Sequence, residues 1–305
     1  DENSYGQKGD LPQTTEQLYG KCLHSYTIKE AIHDEAVLGF MVENLGAKDV
    51  SADDAKQVCE TEEHMRKVLN VILNQSYDKF GMRNGRGRTY EAILTTSSIA
   101  IAQKYYDLLT KIKEGKDELK ISGDIHKALP DFPKFAITYS LSENEEFSIV
   151  NQDKMKKSLY DYYRMFGSRY NIDAIQSYNR NLNERLARKE KRYLDRSQQL
   201  DLVIVVDRLL TGFDAPCLST LFIDRPPMAP QNLIQAFSRT NRLFDAKKLY
   251  GQIVTFQAPK EYKEAINEAL RLYSRGGGGN PIAEDWDDVK ASFSVSLKAL
   301  RNLAQ

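Results

Sequence analysis

The sequence predicts an α/β fold built on a parallel sheet with helices on both faces. Three observations carry this reading. Short apolar runs recur at 36–42, 92–98, 135–140, 202–206, 218–223 and 253–256. Segments with helical apolar spacing stand between them. The runs are near-continuous instead of alternating with polar residues, the pattern of strands covered on both faces by crossover helices.

In chain order, a polar stretch reaches Thr15, and Leu18, Cys22, Tyr26 and Ile32 then follow at roughly helical spacing. Asp34 and Glu35 read as a helix end or turn ahead of the first strand, 36–42. Val58, Met65, Val68, Leu69 and Ile72 mark a second helical pattern over 54–73. Residues 81–88 form a basic loop punctuated by three glycines. Strand 92–98 ends in small polar residues, and Ile101, Tyr105, Leu108 and Leu109 lie on one face of the helix after it. After strand 135–140 comes tyrosine-rich, charged helical sequence over 151–198. Strand 202–206 is the strongest in the chain; 218–223 is another, 230–242 reads as a helix, 253–256 as a strand and 260–274 as a helix. Glycines 276–279 mark a linker before a helical tail. The chain thus divides into an entry segment at 1–80, a lobe at 81–275 and the start of a C-terminal helical region at 276–305.

Composition narrows the function classes. The 305 residues hold 43 Lys and Arg against 43 Asp and Glu, and their 41% hydrophobic and 10% aromatic content excludes a disordered chain. No apolar run approaches the ~20 residues of a membrane helix, and the chain opens on no basic-then-apolar leader. Cys22, Cys59 and Cys217 are an odd number without CxxC spacing, which points to a reducing compartment and gives neither a zinc site nor a disulfide framework. The four histidines show no paired metal spacing, so no metal site is expected. The opening at Asp1, without Met, reads as a fragment of a longer protein.

The most informative block is 200–256. Strand 202–206 runs directly into a loop holding Thr211, Gly212, Asp214 and Pro216. Ligands bind at the carboxyl ends of strands in open α/β sheets, so Thr211 is a candidate hydroxyl donor to a phosphate and Asp214 a candidate acceptor for a ribose hydroxyl or a bridging arginine. A plain strand-to-helix turn uses the same residue types. Downstream, a helix through 242 would set Gln235, Arg239 and Arg242 on one face at i, i+4 and i+7. Two guanidiniums without an acidic neighbour on that face suit an anion such as a nucleotide phosphate. A solvated basic face, or pairing across the fold to Asp207, Asp214 or Asp224, remains the alternative.

These two blocks, Leu-Thr-Gly-Phe-Asp-Ala-Pro at 210–216 and Gln-Ala-Phe-Ser-Arg-Thr-Asn-Arg at 235–242, resemble motifs V and VI of superfamily 2 helicases and translocases. That family's motif VI reads Gln-x-x-Gly-Arg-x-Gly-Arg; here Ser238 and Asn241 replace the glycines. With Thr-Leu-Phe-Ile-Asp-Arg-Pro at 220–226 between them, the pair looks like the motor (R) subunit of type I restriction endonucleases. Segments 14–32, 92–98 (resembling motif IV) and 252–257 agree.

The resemblance implies a second RecA-like lobe, a parallel sheet flanked by helices, with extra helices at the N-terminus and in the 141–198 region. It implies that Arg239 and Arg242 face the γ-phosphate of ATP, one as an arginine finger, and that Gln235, Asp214 and Gly212 serve the nucleotide. Thr96, Ser97, Ser98 and Thr211 would touch double-stranded DNA. The implied cofactors are ATP and Mg²⁺, held in the full-length protein and not by this chain alone. The implied partners are the first RecA-like lobe and nuclease domain of the same chain, and the methylation and specificity subunits. The expected location is a bacterial or archaeal cytoplasm, without membrane attachment.

Absences fit a second lobe. No GxxxxGK[ST] phosphate loop occurs, and no Asp followed by Glu-x-Lys is convincingly placed for a nuclease. The chain alone is therefore expected not to hydrolyse ATP. Within 151–200, 12 basic residues face 6 acidic ones, so the zero net charge averages a basic segment against an acidic remainder. That segment suits either a DNA-backbone surface or a solvated helix face. Another superfamily 2 remodeller, and a nonenzymatic α/β interaction module, are the competing assignments.

Overall fold

The computed structural model describes residues 15–21, 23–24, 26–46, 58–140, 148–273, 290 and 293–297. The expected linker at 276–279, nearly all of the tail after it, and Cys22 lie outside the described residues. Six strands form one sheet: β1 (Gly39–Asn44), β2 (Glu91–Thr96), β3 (Phe135–Thr138), β4 (Leu202–Val205), β5 (Leu218–Asp224) and β6 (Tyr250–Thr255). Their order is β1-β6-β5-β2-β4-β3 and every pairing is parallel. This is the α/β class expected from the apolar runs.

Parallel strands need crossovers, and the crossovers cover both faces. Hence β2, β4 and β5 are buried along their whole length, whereas edge strand β1 is only partly covered. Ser98 caps helix α4 (Ile99–Lys113; the shorter α1 Thr15–Tyr19, α2 Ile28–His33 and α3 Glu62–Asn70 precede it), its Oγ accepting the amide of Ile101. Tyr105, Leu108, Leu109 and Ile112 of α4 enter the core, as helical spacing requires. Five more helices follow: α5 (Gly123–Ala128), α6 (Ser148–Phe166), α7 (Ile175–Ala187), α8 (Pro230–Phe237) and α9 (Pro259–Tyr273). The last two pack against each other.

Three elements depart from the sequence expectation. The first strand begins at Gly39, not 36, because Asp34 ends α2 and Glu35 turns the chain through a left-handed φ of 56°. The second helical pattern breaks after Asn70 into a π-helical turn, Val71–Gln75. Helix α8 stops at Phe237 instead of running to 242, so Gln235, Arg239 and Arg242 do not share a helix face. Sheet and core also extend upstream of residue 81: β1 pairs with β6, and Met65, Val68 and Leu69 of α3 are buried.

Because all strands run the same way, the sheet has two chemically distinct ends. The seven residues of β5 separate them by roughly 20 Å at about 3.3 Å per residue. Residues 96–98, 206–207 and 224–225 stand at the carboxyl end. The connection 206–217 leaves β4 at that end and, because β5 is parallel to β4, must finish at the amino end.

Candidate functional site

The amino end gathers the arginines. Arg239 lies in the turn after α8, where its Nε donates to the carbonyl of Gln235 (3.1 Å) and its guanidinium donates to the carbonyl of Phe213. Arg242 follows, its Nε 3.4 Å from Asp214 Oδ1. That is an ion-pair distance without hydrogen-bond geometry, and the Nε, though buried, has no hydrogen-bond acceptor. Lys189 Nζ approaches the other Asp214 oxygen at 3.5 Å. Arg242 and Asp214 keep 41% and 51% of their side-chain surface exposed, so the cluster opens to solvent. Burial, and then the neighbouring Arg242 charge, push the Arg239 guanidinium below its ordinary pKa, with Asp214 pulling the other way. One carboxylate thus pairs with two cations beside a third, Arg239, and a polyanion would relieve the imbalance.

The backbone beneath this cluster is held firmly. Thr240 and Asn241 are buried, Asn241 accepting the amide of Leu38 (2.7 Å) and donating Nδ2 to its carbonyl (3.2 Å). The arginine turn is thereby fixed to the start of β1. Gly251 in β6 lies so close that an added Cβ would collide with Thr240 Oγ1. Lys248, 4% exposed, donates Nζ to the carbonyls of Pro216 (2.7 Å) and Arg242 (2.8 Å), joining the two loops. Sequence reasoning missed Lys248, because its setting of Asp, Ala and Lys reads as a solvated turn.

Ser238 and Asn241, the departures from the motif VI glycines, cause no backbone conflict. Ser238 sits at φ −65° with Oγ donating to the carbonyl of Ile234, and neither residue is left-handed. Gly212 is left-handed at φ 64°, with no atom within 4 Å of the place a Cβ would take, so only its φ calls for glycine. Leu209 also adopts a positive φ, 69°, at a cost of about 1–2 kcal/mol. Burial of Leu209, Leu210, Phe213 and Ala215 holds the connection in place.

The remaining expected residues divide between the two ends. Gln235 is exposed on α8, beside the arginines, and Thr211 and Gly212 are exposed on the connection. Ser97 is exposed at the carboxyl end of β2, on the opposite side of the sheet from Arg239 and Arg242. Ser98 uses its Oγ as the α4 cap. Thr96 corrects one expectation: it is fully buried, and its hydroxyl donates to the carbonyls of Ser98 (3.2 Å) and Val205 (3.4 Å), so it presents nothing to a ligand. A second correction concerns the position of the loop. Phe213 and Asp214 belong to the amino-end cluster, although the loop that carries them departs from the carboxyl end of β4.

The basic segment 151–200 is not one surface. Arg185 is buried among Tyr162, Phe166 and Tyr193, its guanidinium carbon 3.8 Å from the Phe166 ring centre. Arg188 pairs with buried Glu91 at 2.7 Å, and Arg196 with Asp201 at 2.5 Å and Asp131 at 3.0 Å. These three are internal struts. Lys154 and Lys157 both face Asp107, and Lys156 faces Asp153.

Among the described residues no helix is long and apolar enough to cross a membrane. Residues 88–258 match the family model described as type I restriction enzyme subunit R domain 3. The SauCOLORF180P endonuclease subunit of a type I restriction enzyme from Staphylococcus aureus (strain COL) is 29% identical over 305 residues, covering 95% of this chain and 30% of that protein. The SsaAORF53P endonuclease subunit from Staphylococcus saprophyticus is 31% identical over 304 residues, covering 96% and 30%. A solved structure of the ATP-dependent type ISP restriction-modification enzyme LlaBIII bound to DNA aligns over 85% of this chain and 15% of its own, at a TM-score of 0.44 and 15% identity. The chain spans about three-tenths of the length of the curated relatives it matches. With more than half of its residues inside the family model, the chain belongs to the type I restriction enzyme R subunits, residues 88–258 being their domain 3.

Proposed function

We propose that this chain is the second motor lobe of an ATP-dependent double-stranded DNA translocase within a type I site-specific deoxyribonuclease of the cytoplasm. The observation that carries the reading is the open cluster at the amino end of the sheet, where Arg242 and Lys189 share the single carboxylate of Asp214 and Arg239 adds a third positive charge beside them. A lobe whose arginines were structural would bury them against carboxylates, as Arg188 and Arg196 are buried here. Arg242 instead retains an unmet capacity for anions, its buried Nε having no hydrogen-bond acceptor.

In this reading ATP and Mg²⁺ are held by the first lobe, and Arg242 reaches the γ-phosphate across the cleft between the lobes. Negative charge grows on the phosphoryl oxygens in the transition state, and a guanidinium placed there is typically worth ~10³–10⁵ in rate. Arg239 anchors the Phe213 carbonyl and supplies a second positive charge. Gln235 and Asp214 hold the arginines in register, and Gly212 lets the connection turn between the nucleotide end and the DNA end. Ser97, the Ser98 backbone and Thr211 form part of the DNA track. Recognition of the DNA site belongs to the specificity subunit, and cleavage to the nuclease domain.

The test is reconstitution. The chain alone should show no ATPase above background; joined to the first lobe of the full-length subunit it should show DNA-stimulated ATPase, which Arg239→Ala lowers by at least tenfold. ATPase from the chain alone, or an unimpaired Arg239→Ala protein, would overturn the assignment.

A further inference from the structure

At the opposite end of the sheet, three ligating side chains that are remote in sequence meet. Cys59 comes from the helical turn ahead of α3, His64 from α3 itself, and Asp224 from the carboxyl end of β5. One sulfur, one imidazole nitrogen and one carboxylate oxygen from these residues all lie within 4.8 Å of one another. Cys59 and Asp224 are buried and His64 is nearly so. We propose that Cys59, His64 and Asp224 form a binding site for one zinc ion.

The donor set and its surroundings support this. Thiolate, imidazole and carboxylate are all zinc ligands, and the thiolate disfavours Mg²⁺ and Ca²⁺, which take oxygen. In a tetrahedral zinc site, bonds of 2.0–2.3 Å place ligand atoms about 3.5 Å apart. Zinc would replace the 2.8 Å hydrogen bond between His64 Nε2 and Asp224 Oδ1, which move apart, while ligand atoms now up to 4.8 Å apart close in. Asp224 is already oriented by outer partners, Oδ2 accepting the Tyr105 hydroxyl at 2.6 Å and Oδ1 the Gln257 amide at 2.9 Å. Metal-binding carboxylates are normally held this way.

Space for a further ligand lies beside two of the three residues. A cavity of about 40 Å³ opens against Cys59 and Asp224, with Glu60, Ser97 and Gln257 on its walls. That space admits a water molecule as the fourth ligand. The zinc ion would fasten the start of α3 to the carboxyl end of β5, beside exposed Ser97. Spacing along the chain could not reveal the site, because 160 residues separate His64 from Asp224.

The purified protein, stripped with a chelator and titrated with zinc, should bind one ion per chain by calorimetry and elemental analysis. Cobalt in place of zinc should give a thiolate-to-metal charge-transfer band and the visible bands of tetrahedral Co²⁺. Cys59→Ser should remove the charge-transfer band, and His64→Gln should weaken zinc binding at least tenfold. Tyr105→Phe should weaken it about 10–100-fold through the outer partner. Cys22→Ser and Cys217→Ser should leave both readouts unchanged. No stoichiometric zinc, no charge-transfer band in the unsubstituted protein, or undiminished binding by Cys59→Ser would each overturn the proposal. If Cys59→Ser fails to fold, the cobalt spectrum of the unsubstituted protein decides alone.

Discussion

Replacing Lys248 by Met tests how the arginine turn is held. The Lys248 ammonium is buried, and burial pushes its pKa from the ordinary 10.5 down to about 8, with the Arg242 charge adding to the effect and Cys217, Asp245 and Glu91 opposing it. A lysine with a depressed folded-state pKa binds fewer protons folded than unfolded. Its cost to stability is therefore full below pH 8 and disappears as pH rises from about 8 to about 10.5. At 1.36 kcal/mol per pH unit the span amounts to about 3 kcal/mol. Methionine removes the charge and its cost but leaves the carbonyls of Pro216 and Arg242 without a donor, at about 1–3 kcal/mol each if both stay buried. The two effects are comparable, so the net change at pH 7 should be small. The pH dependence should not be. In urea unfolding at pH 7, 8, 9 and 10, the stability of the unsubstituted protein relative to Lys248→Met should rise by about 3 kcal/mol toward pH 10.5. Parallel curves for the two proteins would refute the buried-ammonium argument.

Three further outcomes follow from the same geometry. Gly212→Ala should cost only about 1 kcal/mol in thermal or urea unfolding, since its φ of 64° is the only obstacle. Gly251→Ala should do more, because the new Cβ overlaps Thr240 Oγ1 and must displace the turn that carries Arg242; ATPase of the full-length subunit should fall along with stability. Arg188→Ala breaks a buried pair with Glu91 and should cost about 3–5 kcal/mol while leaving the salt dependence of DNA binding unchanged.

The sheet was legible because burial on both faces demands continuous apolar strands, and the runs ending at Val206 and Ile223 met that demand almost to the residue. The end of α8 was not legible. No Gly or Pro stands between Phe237 and Gly251; the helix stops because Asn241 is drawn to Leu38, 203 residues upstream. Arg185, Arg188 and Arg196 read as surface charge because basic runs usually are, and only the fold supplies Glu91, Asp201 and the three aromatic rings that enclose them. The motif residues were found in sequence, but their division between the two ends was not. It depends on a 12-residue connection without a helix carrying Asp214 from one end of the sheet to the other.

The proposed role puts Arg242 on the transition state of ATP hydrolysis and not among the struts. Its most direct test is kcat for DNA-stimulated ATPase in the full-length subunit carrying Arg242→Ala, with nucleotide affinity measured on the same preparation. A fall of ~10³-fold or more in kcat, with ATP affinity changed less than tenfold, is the predicted result. Unchanged kcat in a folded Arg242→Ala protein would contradict it.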